Sequence, residues 1–279
     1  MAKGIGGNKK LKFRTTQTEK NAKKKKIIAL FVAVILIVAA VSLTVLIKEY
    51  NLFGKKTDGD SKKPAIETQL QDEVSILFAG ASNSEDQLTF LSVINLDTDK
   101  QKFKVIALSP NEKFEGHTLT EIYASSDADT MTKAAGKILD KKIDRYAVIT
   151  EKKFKNFILA IGYPELNIPS DIEYESAEFS LSLLKGKQNM SGDKLYKYLR
   201  YLGIGDTDYA LKQQSLVVGE LVAKRLNEIN MKKGDDLFST VINNFDSNIT
   251  IMDFTKYYSL FCEIAKEPRV VEAVAYIGE

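Results

Sequence analysis

The 279-residue chain has no tryptophan, one cysteine, one histidine and five prolines. A lone Cys262 excludes an intrachain disulfide, so any folded part is held by its apolar core. His117 has no cysteine or second histidine near it in sequence, which removes the usual transition-metal ligand sets. No G-x-S-x-G nucleophile elbow occurs, and Gly4–Gly7 follows no strand, so it does not read as a phosphate loop. Arginine is also scarce: Arg14, Arg145, Arg200, Arg225 and Arg269 are the five among 40 basic residues.

What is present is enough apolar sequence, 44% of the chain, to bury a full core in one large domain with an appendage. The formal charge of +3 conceals an asymmetry, because residues 1–26 carry ten Lys or Arg against Glu19 alone. Ile27 to Ile47 follows, a run of 21 residues without a charge. At roughly 1.5 Å per residue this run spans the ~30 Å hydrocarbon layer, and it reads as one transmembrane helix. Lys23–Lys26 place the N-terminus in the cytoplasm and everything after Lys48 outside, a single-pass type II arrangement at the cell membrane. A cleaved signal peptide with a site near Ala40-Val41-Ser42 is the competing reading, but its apolar region would be shorter, about 7 to 15 residues.

The basic tail 1–26 reads as a solvated topogenic arm drawn to anionic lipid, with no amphipathic reading helix for nucleic acid. Residues 48–71 are polar, with Gly, Pro and mixed charge, and read as an extracytoplasmic stalk. An exported domain without disulfides suits a bacterial envelope.

From residue 72 the pattern is that of an α/β domain. Val74–Gly80, Leu88–Leu96 and Phe103–Leu108 predict strands, with a turn at Asp97–Lys100. Helical spacing over Thr130–Leu139, a short strand at Tyr146–Ile149 and an amphipathic helix through Phe154 and Ile161 follow. Ile168-Pro169 opens a polar excursion, expected to be irregular, to about Glu178. Helices are expected from Ser191 and through Leu211–Leu226, and a capping box of Thr250 and Asp253 opens a further one. Val270–Ile277 closes the chain as a strand.

The stretch Leu183–Gln214 carries the most specific pattern: G-K-Q-x-x-x-G-D-K-x-x-x-Y-x-R-Y from Gly186 to Tyr201, then Asp206 and Lys212-Gln213-Gln214. With the hairpin LTFLSVINLDTDKQKFKVIALSP and the segment TMTKAAGKILDKKIDRYAVITEKKFKNFILAIG, it resembles the LytR-CpsA-Psr family over residues 72–279. The resemblance implies an α/β/α sandwich around a central mixed sheet on a single membrane anchor. It also implies transfer of a polyprenyl-pyrophosphate-linked glycopolymer to peptidoglycan with a divalent cation such as Mg2+. Partners would be the bilayer through 27–47, the polyprenyl-pyrophosphate lipid and peptidoglycan or wall glycopolymer, without nucleic acid.

Such chemistry calls for bidentate guanidinium groups on the pyrophosphate and carboxylates on the metal. Arg200 matches a family arginine and is the candidate catalytic residue; Arg200, Lys212 and Gln213 are candidates for substrate binding. Asp86 and Asp206 are candidate metal ligands, with Gln87 alternative to Asp86 by a one-residue shift. Asn111, Leu202, Tyr209 and Lys212, however, stand where the resemblance expects arginine. The expectation is therefore a degraded site that binds without efficient transfer; an active, divergent phosphotransferase is the alternative.

Overall fold

The computed structural model describes residues 70–225, 234–266 and 272–276, within a compact unit spanning Glu67–Glu279. The basic tail, the apolar span 27–47 and nearly all of the stalk lie outside the described residues.

Strands β1 (Glu73–Ala81), β2 (Leu88–Asp97) and β3 (Lys102–Leu108) form an antiparallel meander, registered by Leu77 opposite Val93 and Val93 opposite Ile106. The first two turn around residues 82–87, the last two at the expected Asp97–Lys100 turn, where the Lys100 N–H donates to Asp97 Oδ1 at 2.8 Å. Strand β6 (Arg145–Thr150) joins β1 in parallel and β12 (Glu272–Ala275) joins β3 in parallel. With the two-residue β11 (Asp246–Ser247), the order is β11-β6-β1-β2-β3-β12, a mixed six-stranded sheet. Its centre is a near-continuous apolar run because both faces are covered.

On one face Leu77, Ala79, Leu91 and Val93 pack against Leu119 of α1 (Leu119–Ser125) and Met131, Ala134 and Ala135 of α2 (Ala128–Ile138). The other face presents Phe78 and Phe90 to α3 (Glu151–Ile161), α4 (Gly192–Gly205) and α5 (Asp208–Arg225). Helix α6 (Gly234–Asn244) precedes β11, and α7 (Ile251–Ile264) packs Tyr257, Leu260 and Ile264 on Leu96 and Phe103. Helices thus flank both faces of the sheet. The Thr250–Asp253 capping box forms as expected at the start of α7.

Helix α6 and strand β11 go beyond the sequence expectation, and so do two further regions. Helix α1 follows the small ribbon of β4 (Lys113–Phe114) and β5 (His117–Thr118) and opens on its own capping box. There the Glu121 N–H donates to Thr118 Oγ1 at 3.1 Å, while the Thr118 N–H donates to Glu121 Oε2 at 2.8 Å. The excursion expected to be irregular is a two-part ribbon instead. Strand β7 (Glu165–Ile168) pairs with β10 (Gly186–Asn189), and β8 (Ile172–Glu175) pairs with β9 (Ser180–Leu183). Leu166, Ile168, Ile172, Leu181 and Leu183 turn inward while the residues between them face out. Runs of four broken by Pro169 are too short for periodicity to reveal.

The packing of α4 depends on Gly203. A Cβ there would collide with the Thr89 carbonyl oxygen and lie 3.1 Å from Phe90 Cα, so the helix could not keep its approach to β2. Gly203→Ala should destabilise the full chain by about 2 kcal/mol, the ordinary cost of overpacking. Urea unfolding should show a lower midpoint with an unchanged m-value; an unaltered midpoint would mean that α4 relaxes freely.

Candidate functional site

Helix α4 is started by Ser191, whose hydroxyl accepts the Lys194 N–H at 3.3 Å, and its inner stripe of Leu195, Tyr196, Leu199 and Leu202 docks on the sheet. That phase leaves Arg200 at the edge of the buried face, its side chain 13% exposed. The guanidinium is bound on two sides: it donates to Glu178 Oε2, and its carbon lies 4.7 Å from the centre of the Phe179 ring. Both partners belong to the turn between β8 and β9. Ser176 fixes this turn by donating its N–H to the Phe179 carbonyl at 3.1 Å, while its Oγ accepts the N–H groups of Glu178 and Phe179 at 3.2 Å each.

Beside this pair is a pocket of about 430 Å³. It is walled by Gln87, Leu88 and Thr89 at the start of β2, Pro110, Asn111 and Thr120 before and in α1, and Tyr174, Ser176, Ala177 and Glu178, with Gly203 and Ile204 of α4. Its charged wall residue is Glu178; no lysine or arginine is among the described residues that line it. Asn111 is exposed, Leu202 is 3% exposed and points into the core, and Tyr209 is 61% exposed.

The other sequence candidates are scattered around this region. Asp86 is an exposed loop residue whose Oδ1 accepts the Ser82 hydroxyl at 2.8 Å and that of Ser84, and these two hydroxyls hold its carboxyl below the usual range. Asp206 caps α4 in a left-handed conformation, φ 43°, with its side chain exposed. Lys212 is exposed on α5 and Gln213 is half-buried. Among the described residues no three Asp, Glu, His or Cys side chains converge as cation ligands. One Asp86 carboxylate oxygen accepts from two serines, and Asp206 is a solvated helix cap.

A second cavity, about 530 Å³ and mostly apolar, opens on the same sheet face nearer the start of β1. Val74, Ile76 and Phe78 form its floor, Phe157, Val218, Leu221, Val241 and Phe261 its walls. At its rim Arg145 makes a bidentate pair with Asp253, Nε to Oδ2 at 2.9 Å and Nη2 to Oδ1 at 2.7 Å. This pair and the Thr250 bonds outweigh burial and hold the Asp253 carboxyl at about 2. The two cavities share no lining residue. Between them stand Phe90, Phe154 and Tyr196, all fully buried, in edge-to-face contact at 5.4–6.3 Å. The Tyr196 hydroxyl donates to the Ala81 carbonyl, which leaves Thr89 Oγ1 to donate to it at 2.9 Å.

The LytR_cpsA_psr family model matches residues 43–273. The chain belongs to the LytR_cpsA_psr family. It is 21% identical over 259 residues to the polyisoprenyl-teichoic acid–peptidoglycan teichoic acid transferase TagV of Bacillus subtilis, covering 82% of this chain and 65% of TagV. The chain spans less than two thirds of the length of the first curated relatives it matches, 35% and 65%. A protein from Eubacterium siraeum has the same fold, with a TM-score of 0.67, 18% identity and coverage of 81% and 91% of the two chains. So does TagT, solved bound to LI-WTA, with a TM-score of 0.54, 15% identity and coverage of 75% and 80%.

Within this LytR_cpsA_psr fold, sequence reasoning missed three site residues. Glu178 gives no sequence signal, because its partner lies 22 positions away. Tyr196 reads as one more apolar-stripe residue. Gln214, rather than its neighbour Gln213, reaches the sheet: fully buried, its Nε2 donates to the Leu91 carbonyl at 2.7 Å and to Ser92 Oγ at 3.1 Å. Its position on the stripe of Leu211, Val218 and Leu221 is the signal that would have found it.

The rim pair carries a pH signature. A carboxylate whose folded pKa is depressed stabilises the fold above its unfolded pKa of about 4 and loses that contribution as the pH falls toward 2. Asp253→Asn should lower the stability of the full chain by about 1 kcal/mol at neutral pH, the shift being discounted for partial solvent screening. The gap from wild type, followed by urea unfolding, should narrow as the pH drops below about 4; a pH-independent gap would show that capping alone accounts for it.

Proposed function

We propose that this protein is a membrane-anchored, extracytoplasmic component of cell-envelope glycopolymer assembly that holds a polyprenyl-pyrophosphate-linked or wall glycopolymer without transferring it efficiently. The observation that carries this reading is the state of Arg200. Its guanidinium is bonded to Glu178 and stacked on Phe179, and the adjoining pocket supplies no cation in its place. Pyrophosphate transfer needs fixed positive charge on the leaving group in a poorly hydrated site. Here the guanidinium beside the pocket is already neutralised by a carboxylate.

Retention of a lipid-linked ligand is supported by the apolar cavity. At about 530 Å³ it falls within the ~300–1,000 Å³ of small-molecule sites, and its apolar walls suit part of a polyprenyl tail. TagV is named a teichoic acid transferase and TagT was solved bound to LI-WTA, so ligands of this class suit the fold. The anchor is assigned to 27–47, the cytoplasmic tail to 1–26, the stalk to 48–71 and the binding domain to 72–279, which sets the domain outside a bacterial membrane. A drifted but working transferase is the second reading. Asp86 favours it, since its serine partners keep an ionised carboxylate on an exposed loop, next in sequence to Gln87 of the pocket wall. Arg200, Lys212, Gln213 and Asp206 would then serve the substrate and the metal.

The full chain in detergent micelles, incubated with polyprenyl-pyrophosphate-linked glycopolymer, peptidoglycan fragments and magnesium, separates these readings. The polymer should co-elute with the protein, and polyprenyl phosphate should not rise above the blank; sustained release would establish a transferase. Val241→Trp, which fills the apolar cavity, should abolish co-elution. Undiminished co-elution of that variant would remove the cavity from the account.

A further inference from the structure

We infer that the first turn of α7, with Ile251 and Met252 at its tip, is an apolar wedge that docks the domain on the outer face of its own lipid bilayer. The inference rests on the reading of 27–47 as a membrane anchor and names the surface by which the tethered domain meets the membrane.

The two side chains are large, apolar and adjacent, and they are 54% and 69% exposed. Their chain neighbours Ile249 and Asp253 line the 530 Å³ cavity. On α6 the exposed Ile242 repeats the pattern, next in sequence to the wall residue Val241. Apolar surface thus continues from the cavity walls out onto the rim. Ile251 and Met252 are also the first two residues of α7, where a water-facing helix favours acidic side chains.

The turn that carries them is rigid. It is held between Thr250 and Asp253 of the capping box, and Asp253 is gripped bidentately by Arg145. The tip is therefore preordered, which lowers the entropy lost when it inserts.

The partner follows from charge and from where the chain enters. The charged residues that line the cavity are Lys142, Arg145 and Lys256 against Asp144 and Asp253, and Lys142 and Arg145 already pair with the two carboxylates. Such a rim neither repels anionic headgroups nor depends on them, so burial of the apolar tip is the attraction. Gln71 lines the same cavity, so the tether joins the domain at this rim. Residues 48–70 reach at most about 80 Å, which keeps the wedge beside the bilayer at a ~mM effective concentration. At that concentration two inserted side chains suffice, where they would not hold a free domain. Docked in this way, the cavity opens on the leaflet, and a lipid tail enters it without crossing water.

The chain has no tryptophan, so a single introduced one reports on its own surroundings. Full-length Met252→Trp is placed one copy per lipid nanodisc, in phosphatidylcholine with plain or brominated acyl chains. Tyr209→Trp serves as the comparison, since Tyr209 is 61% exposed and lies at the opposite end of α5 from the cavity residues Leu221 and Val222. The Met252→Trp emission should shift to the blue and be largely lost to brominated chains, with or without phosphatidylglycerol; that of Tyr209→Trp should do neither. Adding Ile251→Asp should restore most of the Met252→Trp emission. An aspartate suits the start of a helix, and an equal urea midpoint would verify that this variant folds. The inference is overturned if Met252→Trp stays unshifted and unquenched, if Tyr209→Trp is quenched equally, or if quenching requires phosphatidylglycerol. A blue shift seen only with two copies per disc would make the turn an interface between copies and overturn it as well. A chain that does not enter the discs would sink the anchor reading; one that enters them with Met252→Trp unquenched would sink the docking inference alone.

Discussion

The packing of Phe90, Phe154 and Tyr196, with Phe78 against it, is the constraint on which the rest of this domain depends. These rings join β1 and β2 to α3 and α4, and they are fully buried apart from the 9% exposure of Phe78. The Tyr196 hydroxyl finds both the Ala81 carbonyl and Thr89, so its polar end is satisfied in the core. Burial raises its pKa and pushes that of Tyr198 up to about 12, so both phenols stay neutral and serve as packing groups, Tyr196 with a hydrogen-bonding tip. Because the cluster fills the middle of the sheet face, the space on either side becomes two separate cavities. One is polar and lies at the loop ends of the strands; the other is apolar and lies toward the start of β1.

That partition gives Arg200 and Arg145 different settings. Arg200 stands by the polar pocket but is bound by a turn that comes from the ribbon inserted between α3 and α4. Arg145 stands at the mouth of the apolar cavity, tied to the capping residue of α7. In both cases a guanidinium links elements distant in sequence, 22 and 108 positions apart. The same donor geometry that suits pyrophosphate also suits carboxylates, and in this chain carboxylates occupy it. Under the proposed reading, the motif persists as architecture, its arginine tied within the fold.

The sequence revealed the parts of the fold that rest on local regularity. The strands of the meander are long enough to read from their apolar runs, and the Thr250–Asp253 box announces α7 because a capping box is a local pattern. The ribbon at 165–189 escaped because four-residue strands separated by a proline have no readable period. For the candidate site, the resemblance pointed to Arg200 and expected arginine where Asn111, Leu202, Tyr209 and Lys212 stand, and Asn111 lines the pocket. What spacing could not supply was the partner of Arg200, since a contact made by a ribbon turn depends on tertiary structure. The choice of Gln213 over Gln214 followed the motif; the phase of the apolar stripe on α5 would have favoured Gln214.

The central claim is that the guanidinium of the motif is engaged within the protein and unavailable to a pyrophosphate. Arginine side-chain NMR of the full chain addresses it directly, with Arg200 assigned by its loss in Arg200→Lys and the sample titrated with magnesium pyrophosphate. The account predicts slow guanidinium rotation before any ligand is added and no movement of the Arg200 resonance up to saturating ligand. A saturable shift of that resonance, with faster rotation as Glu178 lets go, would contradict it.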